Sequence, residues 1–172
     1  MGVAFIDTSR RPYLVVTKEG EHQAEELAPL FEQLGPFERL GVGMGPGSYT
    51  GIRVGLAFAK GYRLATGCAL IPIPSLYRYF PPQPCTFLSV VDARAGGVYY
   101  QRAERTSGEI VWDGMPSRCS LEELAELKAE VDCVVSPDEG FGIGAGSSAD
   151  YLLHLVERAD PGELTPIYLG RW

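Results

Sequence analysis

The sequence predicts an α/β fold of two related lobes, with mixed sheets flanked by helices, and three observations predict it. Near the start, an apolar run from Val3 to Ile6 meets Asp7-Thr8-Ser9-Arg10-Arg11-Pro12, and a second apolar run follows from Tyr13 to Val16. The same order of strand, Asp turn and strand recurs at Thr86 to Val91, Asp92-Ala-Arg-Ala-Gly-Gly and Val98 to Gln101. Self-similarity of this kind points to duplication. Between the two lies a strand, a tight turn, a helix and a strand running from Leu40 to Pro74, the order expected of a parallel crossover.

In that central stretch Leu40, Val42 and Met44 lead into Gly43, Gly45 and Gly47, after which Ser48 or Thr50 can cap a helix reaching about Ala65. Clustered glycines serve either a sharp backbone bend or the approach of backbone N–H groups to an anion. The spacing is not that of a P-loop, because no Gly-Lys follows at the required distance. Along the helix, Gly51, Gly55 and Ala59 recur at steps of four and so share one face. Ile52 and Leu56 border that face, Val54, Phe58 and Ala65 line another, and Arg53, Lys60 and Arg63 form a narrow polar stripe. A helix apolar on two sides is expected to bury one on its own sheet and offer the other to a second helix. The expectation is that Gly51, Gly55 and Ala59 admit the partner while Ile52, Phe58 and Tyr62 supply apolar area.

Composition narrows the function classes. The 172 residues can bury a core as one domain or two small lobes, and 45% hydrophobic content fits a globular protein. No apolar run approaches the ~20 residues that span a bilayer, and the N-terminus lacks a basic, apolar and cleavable leader, so no membrane association and a cytoplasmic location are expected. The net charge of −7 is uneven. Met1 to Thr86 holds eight Lys/Arg against seven Asp/Glu, whereas Phe87 to Trp172 holds seven against fifteen. Nucleic-acid binders engage phosphates with basic patches, so this chain alone is expected to bind nucleic acid poorly. Cys68, Cys85, Cys119 and Cys133 show no metal or redox spacing and read as reduced, packed thiols. His22 and His154 are the only histidines, far apart in sequence.

The remaining elements follow in order. A helix with Pro29 inside it is expected from Gln23 to Leu34. Pro81-Pro82-Gln83-Pro84 reads as a stiff connector, giving lobes at 1–80 and 85–172. A strand is expected from Glu109 to Trp112. Ser120 with Glu123 forms a capping box for a helix from Leu121 to Ala129, followed by a strand from Asp132 to Val135. Gly140, Gly142, Gly144 and Gly146 form a second glycine-rich loop, and Ser147 or Ser148 opens a helix through Glu157.

The run Gly45-Pro-Gly-Ser-Tyr-Thr-Gly-Ile-Arg-Val-Gly-Leu-Ala-Phe-Ala-Lys-Gly closely resembles the signature of the TsaB (YeaZ) family, bacterial partner proteins in forming threonylcarbamoyladenosine on tRNA. Phe5-Ile-Asp-Thr-Ser, Val91-Asp-Ala-Arg and Pro166-Ile-Tyr-Leu extend the resemblance over most of the chain. It implies a duplicated actin-like (RNase H-like) fold. It also implies a noncatalytic subunit that pairs with a TsaD-like catalytic subunit through its N-terminal lobe, is joined by a TsaE-like ATPase, and forms a homodimer when alone. ATP and metal are then expected on the partner subunits, with tRNA reached only through the complex.

In actin-like relatives the first strand's carboxylate and a glycine-rich turn serve nucleotide phosphates, which makes Asp7, Gly45, Gly47 and Ser48 the candidate nucleotide-facing residues. No Gly follows Asp7 before the second strand, and turn capping is the alternative role for it and for Asp92. TsaD-like subunits carry a His-x-x-x-His metal pair after the corresponding helix. Here Ser75 and Tyr79 stand at those places, so no metal site is expected. The competing reading is a stand-alone ATPase or peptidase-like enzyme, which would need a nucleophile and base, or a metal-bound water, within reach of one another.

Overall fold

The computed structural model describes residues 2–94, 96–146 and 148–169. The chain forms two compact units, Met1–Ser75 with Ser148–Tyr168, and Leu76–Ser147 with Leu169–Trp172. In the first, β1 (Val3–Asp7), β2 (Tyr13–Thr17), β3 (Gly20–Ala24), α1 (Leu27–Leu34), β4 (Arg39–Gly43), α2 (Tyr49–Thr66) and β5 (Ala69–Ile73) build a five-stranded sheet in the order β3-β2-β1-β4-β5. β1 pairs antiparallel with β2 and parallel with β4.

Every residue of β1 and β2 is buried, as expected of strands covered on both faces. Ala4, Ile6, Tyr13, Val15, Leu40 and Val42 join Phe31 of α1 and Ile52, Leu56 and Ala59 of α2 in one core cluster. Phe31 is the hub of its rim, meeting Phe37, Phe58 and Tyr62 edge-on at centroid distances of 5.4, 4.7 and 5.2 Å.

The second unit repeats this plan. β6 (Cys85–Asp92), β7 (Gly97–Arg105), β8 (Ile110–Ser120), α3 (Leu121–Lys128), β9 (Cys133–Ser136) and β10 (Ile143–Gly144) give the order β10-β9-β6-β7-β8. β6 pairs antiparallel with β7 and parallel with β9, as β1 does with β2 and β4. The α/β duplication expected from the two strand-Asp-strand openings is therefore found, and it is the duplicated actin-like arrangement. α4 (Ala149–Arg158) then packs on β1, β2 and β4. The sequence-based boundary at 85–172 groups this helix with the second half, whereas its contacts lie with the first sheet. The reason is steric: a side chain at Gly41 would come within 2.3 Å of Val156 and 2.9 Å of Phe5, so the bare backbone there makes room for the helix.

Two expected elements differ in extent. Gln23 and Ala24 belong to β3, and the helix starts only at Leu27, with Pro29 in its first turn where its missing N–H costs nothing. His22 lies in that strand opposite Val15. β8 runs well past Trp112, because an irregularity between Tyr100 and Arg102 absorbs Gly114-Met115-Pro116, and the Gln101 amide donates to the Gly114 carbonyl at 2.8 Å. The predicted caps are present: Ser48 accepts from Gly51 N, Ser120 and Glu123 form a reciprocal box, and Ser148 accepts from Tyr151 N. Ser147 falls outside the described residues. No helix among the described residues is long and apolar enough to cross a membrane.

Candidate functional site

Two places carry the residues that the sequence singles out, the turn beside Asp7 and the helix α2. Asp7 ends β1, fully buried. Its Oδ1 accepts from Ser9 N at 2.9 Å and from Ser75 Oγ at 3.1 Å. Ser75 Oγ in turn accepts from Gly45 N at 2.9 Å. Gly45 has φ +89°, a conformation that glycine reaches without strain. Met44 N donates to Ile73 O, Ser48 N to Ser9 O, and Gly51 N to Ser48 Oγ. The amides of Met44, Gly45, Ser48 and Gly51 around this turn are thus donated to the chain's own oxygens. Gly47 packs closely on the first turn, since a Cβ there would lie 2.7 Å from Ser9.

Asp7 behaves as a turn cap. Asp92 makes the matching bond, its Oδ1 accepting from Arg94 N at 2.7 Å, but in an exposed turn. Ser75, at one of the two places where a metal-binding histidine would stand in a TsaD-like subunit, closes the Asp7 network instead of facing open space. Among the described residues no group of three or more His, Cys, Asp or Glu side chains is placed to hold a metal ion.

The six residues expected at a partner surface are used within this unit. Gly51, Ile52, Gly55 and Ala59 face the sheet and are buried. The two glycines make room for Thr8: a Cβ at Gly51 would stand 2.0 Å from Thr8 O, and one at Gly55 2.3 Å from Thr8 Oγ1. Phe58 and Tyr62 stack on each other at 5.9 Å and pack on Phe31, and the Tyr62 hydroxyl accepts from Phe37 N at 2.8 Å. A large side chain at Gly55 would therefore disturb the fold. The small-residue groove accommodates the chain's own first turn rather than a foreign helix.

The outward side of α2 holds a seam of which the sequence reading named only Val54. Val54, Ala57, Gly61 and Leu64 are exposed, with Leu64 at 89%. Their spacing of three, four and three is that of one narrow apolar seam. It was legible in the sequence, but it ran beside a second small-residue stripe of similar period. At the helix start, Arg53 donates to the Tyr49 hydroxyl at 3.1 Å, and Tyr49 lies 5.0 Å from the Tyr168 ring.

Comparison with known proteins agrees with the sequence resemblance. Residues 33–127, more than half of the chain, match the family model described as TsaD: tRNA N6-adenosine threonylcarbamoyltransferase. The tRNA threonylcarbamoyladenosine biosynthesis protein TsaB of Escherichia coli (strain K12) is 31% identical over 102 residues, 53% of this chain. The matched stretch spans 44% of that relative's length. YeaZ from Pseudomonas aeruginosa superposes with a TM-score of 0.68 at 18% identity, covering 98% of this chain and 99% of that one. A second solved structure, described as an uncharacterized protein with similarity to peptidase YeaZ from Pseudomonas aeruginosa, gives 0.62 at 18% identity over 95% of this chain and 99% of that one. At such identity the two structures speak for the fold. The family model, matched over more than half of the sequence, speaks for descent, and the chain belongs to that family as a member of the TsaB (YeaZ) kind.

Proposed function

We propose that this chain is a noncatalytic subunit in the formation of threonylcarbamoyladenosine on tRNA, and that it holds a TsaD-like catalytic subunit against the outward face of α2. The observation that carries the reading is the exposed seam of Val54, Ala57, Gly61 and Leu64 on a helix whose other side, Gly51, Ile52, Gly55, Leu56 and Ala59, is buried. Its small members, Ala57 and Gly61, allow close approach of a partner helix, and its larger members at either end supply apolar area. The closed hydrogen-bond network around Asp7 supports a platform role over nucleotide chemistry at this turn. The name of the Escherichia coli relative supports the pathway. A TsaE-like ATPase joins the same assembly, tRNA is engaged through the complex, and without the catalytic subunit two copies of this chain pair on the same seam.

The test is Leu64→Asp combined with Ala57→Arg, both on exposed positions, so that the fold is expected to persist by circular dichroism. Co-purification with a TsaD-like subunit and threonylcarbamoyl transfer to tRNA by the reconstituted proteins are the readouts. At least a tenfold loss of affinity is expected, since ~1.4 kcal/mol suffices for that. Unchanged binding by the folded variant would reject the seam. Turnover of ATP or tRNA modification by the isolated wild-type chain would reject the noncatalytic role.

A further inference from the structure

Cys85 and Cys133 are 48 positions apart in sequence, and the sheet brings them together. Cys85 opens β6 and Cys133 opens β9, and these strands pair in parallel with Phe87 opposite Cys133. The two sulfurs lie 3.4 Å apart, both thiols free. The residues beside them hold this geometry from two directions. Thr86 N and Oγ1 both donate to Asp132 Oδ2 at 2.8 Å, and Asp132 N donates back to Thr86 O at 3.1 Å. Neither thiol is sealed in: both are half-buried, and Cys85 directly follows the exposed residues Pro82, Gln83 and Pro84. Cys68 and Cys119, by contrast, are buried.

We propose that Cys85 and Cys133 are a reversible disulfide site, oxidised by a peroxide-class oxidant and reduced again by dithiols. Bonding requires the sulfurs to close from 3.4 Å to about 2.05 Å, a movement within the reach of side-chain rotation. Cys85, which directly follows the exposed Pro82, Gln83 and Pro84, is the thiol reached from solvent and makes the first attack, while burial and the hydrogen bond to Cys85 push the Cys133 thiol up. The Cys85 sulfur attacks one peroxide oxygen, the O–O bond breaks, and one water leaves a sulfenic acid on Cys85. The Cys133 sulfur then attacks that sulfur, its proton goes to the departing hydroxyl, and a second water leaves. Two thiols have lost two hydrogens and one peroxide has become two waters. The link ties together the open end of the β6–β9 pair and encloses β7, β8 and α3 in one covalent loop. A loop of that length is expected to raise resistance to unfolding.

The experiment treats the full chain with a small excess of hydrogen peroxide. The expected result is a fall from four titratable thiols to two after denaturation, a mass lower by two hydrogens, a peptide joining Cys85 to Cys133, and a melting temperature several degrees higher. Dithiothreitol should reverse all of these. Cys85→Ser should abolish the cross-link, while Cys68→Ser with Cys119→Ser should keep it. If a variant does not fold, peptide mapping of the wild-type chain decides. Four remaining thiols, a gain of oxygen without a cross-link, or a link involving Cys68, Cys119 or a second chain would each overturn the proposal.

Discussion

The two units share a strand order and differ in what joins their last two strands. In the first, the eighteen-residue helix α2 returns the chain from β4 to β5, which pair over five positions. In the second, residues 137–142 make the return without a helix, and β9 and β10 pair only at Ile143 and Gly144. Parallel neighbours ordinarily need a crossover of a dozen or more residues, so the short return limits the pairing that can form. The loss is visible in the packing. Both residues of β10 are exposed, and among the described residues the core cluster around α3 has Leu88, Val90, Val98, Cys119, Leu124 and Val134 as its buried members. The strand-turn-strand opening thus sets the sheet order in both units, while the crossover helix decides how much core lies over it.

The sharpest way to break the comparison is to fill the contact that the helix creates. Gly51→Val puts carbon 2.0 Å from the Thr8 carbonyl, a backbone atom that cannot step aside. A loss at or beyond the upper end of the ~1–3 kcal/mol typical of overpacking is expected in urea unfolding. Gly144→Val, in the strand that follows the missing helix, meets nothing within 4 Å and is expected to change stability by less than about 0.5 kcal/mol.

The next contrast sets Asp7 against Asp92, which make the same local turn bond in different surroundings. Asp7→Ala leaves the amide of Ser9 and the hydroxyl of Ser75 without their buried acceptor. A cost of about 2–4 kcal/mol follows from unsatisfied buried groups. Asp92→Ala, at an exposed turn, is expected to cost about 0.5 kcal/mol or less. Equal effects at the two positions would remove the distinction between them.

The smallest effects belong to the second unit's exposed clasps. Ser120→Ala removes one half of the capping box, for about 1 kcal/mol in thermal unfolding. Glu123 is held below the ordinary carboxylate range by the Ser120 backbone N–H, and Asp132 by the Thr86 backbone N–H, both reinforced by hydroxyls. A lowered folded-state pKa stabilises above the unfolded value and fades as pH falls through the folded one. NMR titration should therefore show both groups ionised below the usual range, with the start of α3 and the β6–β9 clasp loosening only in acid below it. Titration at ordinary values would contradict these hydrogen bonds.

The parts of the molecule that were legible in the sequence are those set by local chemistry. The Asp turns, the Ser48, Ser120 and Ser148 caps and the fully apolar strands could each be read from a few neighbouring residues. β3 was not legible, because its partly exposed, polar residues are held by the ladder to β2, while Ala24 happened to continue a helical period. The orientation of α2 was also hidden. Two small-residue stripes run along it, and only Thr8, forty-odd positions away, decides which one faces inward. The pairing of Cys85 with Cys133 escaped for the same reason, since no short spacing records it and only the register of β6 against β9 does.

The return of α4 to the first sheet has a consequence for synthesis. Leu152, Leu153 and Val156 of that helix are buried, each contributing roughly 1.5–3 kcal/mol of burial, and they come from the last quarter of the chain. A nascent polypeptide that has emerged only through residue 146 already holds strands β1 to β10, yet Phe5, Ile73 and the slot at Gly41 still lack the cover that Val156 supplies. Domains usually mature in the order in which they leave the ribosome. Here the first sheet to be made is the last to be finished, and until then its bare apolar face is the part of the protein that a chaperone would need to shield.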